Sequence, residues 1–221
     1  SLYTFYKIYK GQNSKIDTFL FPLYVFLALF SKGPVGLLVP LVSTTLFLLY
    51  KKKINTFWQY WGGKSLIILL VCCGIWFTGV FLEGGSTYLN NLLFHQTVGR
   101  GVNSFHHNEP FYYYFFTIWY AIAPWSFLSI GLFAVALIRK KIETELEQFF
   151  SIIILSTFIM LSFISSKLEV YLLPLMPFTI FLSVLLIKKF DVRNKWIRFA
   201  IALPALIFVV ALPAIIYISR I

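Results

Sequence analysis

Residues 151–189 read SIIILSTFIMLSFISSKLEVYLLPLMPFTIFLSVLLIKK. Two apolar runs, each close to the roughly 20 residues that a helix needs to cross a bilayer core of about 30 Å, are separated only by SSKLE. The same pattern extends outward in both directions. Spans are expected near 17–31, 34–50, 65–83, 111–138, 149–166, 169–187 and 197–218. The first two meet at SKGP, where Gly33 and Pro34 favour a tight turn. The sequence therefore predicts an all-α, polytopic transmembrane helix bundle of about seven spans.

Composition points the same way. Of 221 residues, 59% are hydrophobic and 12% charged, against about a quarter charged in soluble domains. Mean hydropathy is +0.82. Aromatic residues make up 20%, as lipid-facing helices with interfacial belts require. The net charge of +11 sits in short clusters between apolar runs, which is the pattern of topology signals and excludes nucleic acid as the expected partner. Cys72 and Cys73, neighbours inside an apolar run, behave as small hydrophobes. The chain opens on Ser-Leu-Tyr and is expected to be the C-terminal transmembrane part (1–221) of a longer module whose N-terminal part is absent.

The positive clusters orient the spans. With Lys51, Lys52 and Lys53 on the cytoplasmic side, alternation puts Lys7, Lys10, Lys15, Lys64, the 139–141 cluster and the five basic residues from Lys188 to Arg198 there too. Only Lys32, Arg100, Lys167 and Arg220 fall outside. Such asymmetry is the positive-inside signature. Residues 84–110 then form a long outer loop. No Asp, Glu, Lys or Arg occurs in 111–138, 148–166 or 199–218, whereas ion-coupled transporters carry such residues at mid-membrane.

The outer side concentrates the reactive residues. Lys32, in LFSKGPVGLLVP, taken alone is a lysine snorkelling at a helix end, or else a cation for a lipid phosphate. In SSKLEVYLLPLMP, Lys167, Glu169 and Tyr171 lie within five positions, able to grip a phosphate and sugar hydroxyls or to form a local Lys–Glu pair beside an interfacial tyrosine. In HQTVGRGVNSFHHNEPFYYYF (95–115), Arg100 lies between two glycines that let backbone approach a ligand, and its planar fork suits phosphate. All three histidines, His95, His106 and His107, are in this stretch with Glu109. Adjacent His106 and His107 supply too few convergent ligands for a tight zinc site, so no metal is expected, and hydrogen bonding to a polar ligand is the expected role of His107. The sequence names no cofactor.

These three stretches resemble the polytopic type C glycosyltransferases of the aminoarabinose-transferase and protein O-mannosyltransferase group. LFSKGPVGLLVP is similar to that group's Leu-x-Lys-Gly-Pro helix pair. The 95–115 stretch resembles its long outer loop, with an arginine and then His-x-x-Pro before an aromatic span. SSKLEVYLLPLMP resembles its Lys-x-x-x-Tyr-x-Leu-Pro-x-x-Pro segment. The likeness covers about residues 20–185, in the family's order.

The resemblance implies transfer of a sugar from a polyprenyl-phosphate carrier to an acceptor at the outer face of a bacterial inner membrane. The acceptor would be lipid A or a protein hydroxyl, and bilayer lipids would be further partners. Lys32, Arg100, His107, Lys167 and Tyr171 stand at motif positions and would line the cavity for carrier phosphate and sugar; His106, Glu109 and Glu169 flank them. The leaving group is a phosphate, so cations there would stabilise its developing charge. The family's catalytic acid lies in an earlier outer loop with no counterpart here, and neither Glu109 nor Glu169 stands at its position. The catalytic residue is thus unassigned, and this chain alone is expected to bind carrier weakly and turn nothing over. The competing classes are a lipid-linked saccharide transporter or flippase, which requires a continuous polar path, and a non-catalytic membrane subunit.

Overall fold

A computed structural model describes residues 1–12, 14–91, 109–164, 167–190 and 193–218. All the regular secondary structure among the described residues is helical, with no strand among them. The chain divides into two compact units, residues 1–111 with 155–167 and residues 112–154 with 168–221.

The first unit begins with α1 (Leu2–Tyr9), α2 (Lys15–Lys32), α3 (Pro34–Tyr50), α4 (Phe57–Trp61) and α5 (Gly63–Asn90). α2 starts two residues before the expected span because Asp17 belongs to its first turn. The Asp17 carboxylate accepts the Ser14 backbone N–H at 2.7 Å and pairs with Lys7 at 2.9 Å, so it satisfies a helix-start donor and sits at the positive end of the helix dipole. Phe5, fully buried, anchors this end of the unit against Phe21 (6.3 Å between centroids), Phe47 (6.3 Å) and Tyr60 (4.6 Å). These separations lie within the range of favourable aromatic pairs.

The α2–α3 hairpin turns where the sequence predicts. Gly33 has φ +62°, a left-handed conformation that glycine adopts without steric cost, and Pro34 opens α3, where its missing N–H is not needed. Gly36 lets the helices close: a Cβ there would run into the Ala28 carbonyl. α5 packs on α2 yet leaves most of its surface bare, with only 6% of its most apolar stretch buried. That suits a helix solvated by lipid. Gly85, at φ +68°, kinks it two residues beyond Glu83, where a span end was expected. The helix then resumes to Asn90, so the connection expected at 84–110 begins later than residue 84.

α8 (Glu145–Phe163) contributes its second half to this unit. Within it the buried hydroxyls of Ser43 and Ser156 hydrogen bond at 2.9 Å, linking α3 to α8 as polar side chains do between apolar helices. The neighbouring Thr157 Oγ1 is buried without a hydrogen-bond partner among the described residues. Thr157→Val, which removes an unmet polar atom at constant shape, is expected to raise stability by about 1 kcal/mol. Ser156→Ala should lower it by about 0.6 kcal/mol. Unfolding in detergent–denaturant mixtures reads both; a loss in Thr157→Val would mean that the hydroxyl is satisfied.

The second unit holds α6 (Tyr113–Ala121), α7 (Ser126–Ile138), the first half of α8, a 3₁₀ segment Glu169–Leu175, α9 (Met176–Ile187) and α10 (Lys195–Ile218). The single span expected at 111–138 is two helices. Pro124 interrupts it, lacking an amide hydrogen and biasing Ala123 away from helical backbone. Pro174 lies in the 3₁₀ segment and Pro177 in the first turn of α9, so regular α-helix begins only at Met176.

At the start of α8, Glu147 is 2% exposed. Its carboxylate accepts the backbone N–H groups of Glu143 (2.9 Å) and Thr144 (3.0 Å), while Thr144 Oγ1 accepts the Glu147 N–H at 3.3 Å, a reciprocal capping box. Lys189 spends its three ammonium hydrogens on Glu147 (2.8 Å), Glu143 (3.2 Å) and the Lys141 carbonyl (3.0 Å). Burial pulls the Lys189 pKa down, but the two carboxylates outweigh it and hold the group above its ordinary value.

Among the described residues, three stretches are long and apolar enough to cross a membrane: Ile54–Asn90, Glu145–Phe163 and Glu169–Ile187. α3 and α7 are apolar but shorter; the 17 residues of α3 span about 25 Å.

Candidate functional site

The expected site residues fall into three groups. Arg100, His106 and His107, with His95, lie outside the described residues. Lys32, Glu109 and Lys167 belong to the first unit; Glu169 and Tyr171 belong to the second.

In the first unit, Lys32 is the last residue of α2 and is exposed. The positive φ of Gly33 ends the helix immediately after it. Lys32 makes no ion pair with any described residue. Lys167 is different. Its side chain is buried, with the residue 4% exposed, and its ammonium donates to the Glu109 backbone carbonyl at 2.8 Å. Burial pushes its pKa below the ordinary lysine value, and the Glu109 charge pulls it partly back. An ammonium has three hydrogens; this bond uses one, and no other described residue takes the remaining two. Lys167 thus fastens the residue before Pro110 to the chain that leaves α8. α6 begins at Tyr113 behind Tyr112, and it is the Glu109 backbone that Lys167 engages.

In the second unit, the Glu169 carboxylate accepts the Tyr120 hydroxyl at 2.8 Å. The local Lys167–Glu169 pair suggested by the sequence is therefore replaced by a different partner for each residue. Tyr171 is half-buried in the 3₁₀ segment, its N–H donating to the Leu168 carbonyl at 3.1 Å. That same segment is held from α6, where the buried Tyr114 donates its hydroxyl to the Leu168 carbonyl at 3.1 Å.

Two participants, Tyr114 and Tyr120, were not singled out by sequence reasoning. The run EPFYYY has the composition of an interfacial belt, and only the fold separates ring anchors from hydroxyls that hold the Glu169 segment. Among the described residues no three of His, Cys, Asp and Glu converge as metal ligands. Chemically, the first unit offers an exposed cation and a buried one with donors to spare. The second offers a carboxylate and phenols, which suit hydroxyl-rich ligands. No protein-family model, no curated protein and no solved structure matches the chain.

Proposed function

We propose that this chain belongs to a membrane glycosyltransferase that moves a sugar from a polyprenyl-phosphate carrier to a lipid A-like or protein acceptor at the outer face of a bacterial inner membrane. In this reading the seven apolar segments all span, with α6 and α7 together making one crossing. The observation that carries the reading is Lys167. A buried lysine is costly in an apolar protein and marks function by default. This one heads the SSKLEVYLLPLMP segment, the third stretch of the family-like pattern, with ammonium hydrogens left for a phosphate.

The Ser43–Ser156 bond supports a shared location for the cations. It sets the middle of α3 level with the middle of α8. With the helix directions that the charge alternation requires, Lys32 and Lys167 come to the same outer end of the first unit. Arg100, in the sequence that leads to Glu109, would join them. These cations would hold the carrier phosphate and stabilise its charge as it leaves.

The orientation can be tested with single cysteines in a Cys72→Ala, Cys73→Ala background. Labels at Lys52, Lys140 and Arg193 should react only from the cytoplasmic side, and one at Ser104 only from outside. Reaction of Ser104→Cys and Lys52→Cys from the same side would remove the outer site altogether.

A further inference from the structure

The end of the second unit that carries the Lys189 network also holds a cavity of about 160 Å³. Its apolar wall is formed by Leu132, Val135, Phe190 and Ile197, and its polar rim by Arg139 and Asn194. Trp196 completes it, the indole lying so close over Gly131 of α7 that a Cβ there would strike the ring. The polar groups at the rim are unspent. Asn194 uses its Oδ1 to accept the Trp196 N–H at 2.9 Å, which leaves its Nδ2 hydrogens to donate. The Arg139 guanidinium is exposed and has no side-chain partner among the described residues. Lys188, Lys195 and Arg198, close by in sequence, likewise form no ion pair with described residues, whereas Lys189 is saturated by Glu143 and Glu147.

From this juxtaposition we infer that the cavity between α7 and the start of α10 is a binding site for the headgroup of an anionic membrane phospholipid. The phosphodiester would take the fork of Arg139 and the amide of Asn194. The first methylenes of an acyl chain would follow the Leu132–Val135–Ile197 wall, with Trp196 at the level of the glycerol backbone. Each element matches what a lipid offers. Arginine binds phosphate through two parallel hydrogen bonds, tryptophan favours the membrane–water interface, and basic pockets between membrane helices select acidic headgroups. The surrounding uncompensated cations disfavour a zwitterionic lipid, whose own ammonium they would repel. The site involves none of the sugar-transfer residues and stands whether or not that reading holds.

The test is native mass spectrometry of the protein released from nanodiscs holding equal amounts of phosphatidylglycerol and phosphatidylcholine. The wild type should retain phosphatidylglycerol in preference by about five- to ten-fold. Arg139→Gln should abolish the preference. Because Arg139 is exposed and unpaired, its loss leaves no buried hole, and circular dichroism should be unchanged. Val135→Phe, which fills the apolar wall while keeping every charge, should also reduce retention. Lys53→Gln, which removes a cation that sits 4.7 Å over the Tyr9 ring in the other unit, should leave it intact. Equal retention of the two lipids, an unchanged preference in Arg139→Gln, or release of the lipid by millimolar inorganic phosphate alone would overturn the assignment.

Discussion

Lys167→Met is expected to cut sugar transfer about 30- to 150-fold, the equivalent of losing a charge-assisted contact worth about 2–3 kcal/mol. Arg100→Ala should cost about as much, and Lys52→Ala almost nothing. Methionine keeps most of the lysine volume and fits a site that is 4% exposed, so packing is largely preserved while the ammonium is lost. One acceptor, the Glu109 carbonyl, is left without its donor, which predicts a modest loss of stability beside the large loss of activity. Lys167→Arg separates the two roles. It restores charge and donors but not the compact ammonium, and activity should recover in part. Equal activity of the methionine variant and the wild type would reduce Lys167 to a fastener of the Glu109 segment.

Gly36→Ala is expected to be strongly destabilising. The added carbon would overlap the Ala28 carbonyl and the Leu29 amide. Both are backbone atoms of a hydrogen-bonded helix and cannot swing aside as a side chain would. Relief requires α3 to move off α2, at a cost of about 1–3 kcal/mol or more, and the turn that presents Lys32 moves with it. Gly74→Ala is the matched control. Gly74 also lies inside a helix, but its Cβ would meet nothing within 4 Å, and alanine is the better helix former by about 1 kcal/mol. The expected result is a lower unfolding midpoint for Gly36→Ala and an unchanged or higher one for Gly74→Ala. Similar behaviour of the two would contradict the tight α2–α3 contact.

Much of the fold is legible in the sequence because apolar runs and their punctuation are local properties. SKGP announces its turn through the backbone demands of Gly33 and Pro34, and the helices after residue 145 fall close to their apolar runs. The misses have a common cause. The span expected from Asp17 begins two residues earlier, at Lys15, since a carboxylate is stabilising in a first turn. Residues 111–138 are apolar without interruption, so hydropathy sees one span where Pro124 makes two helices.

The site was less legible because partners distant in sequence decide what a side chain does. Lys167 and Glu169, two residues apart, suggest a pair. Tyr120, 49 positions from Glu169, and the Glu109 carbonyl, 58 from Lys167, take those roles instead. No periodicity or spacing reports such contacts.

Sugar transfer from a lipid-phosphate donor is the central claim, and donor consumption in lipid tests it most directly. The protein, produced from its complete reading frame and reconstituted in vesicles, would be given a labelled polyprenyl-phosphate sugar and, separately, the corresponding sugar nucleotide. The account predicts loss of the polyprenyl-phosphate sugar with release of polyprenyl phosphate, no use of the nucleotide, and strong impairment in Lys167→Met. Folded protein that leaves the lipid-linked donor untouched, or consumes it equally well in Lys167→Met and Arg100→Ala, would contradict it.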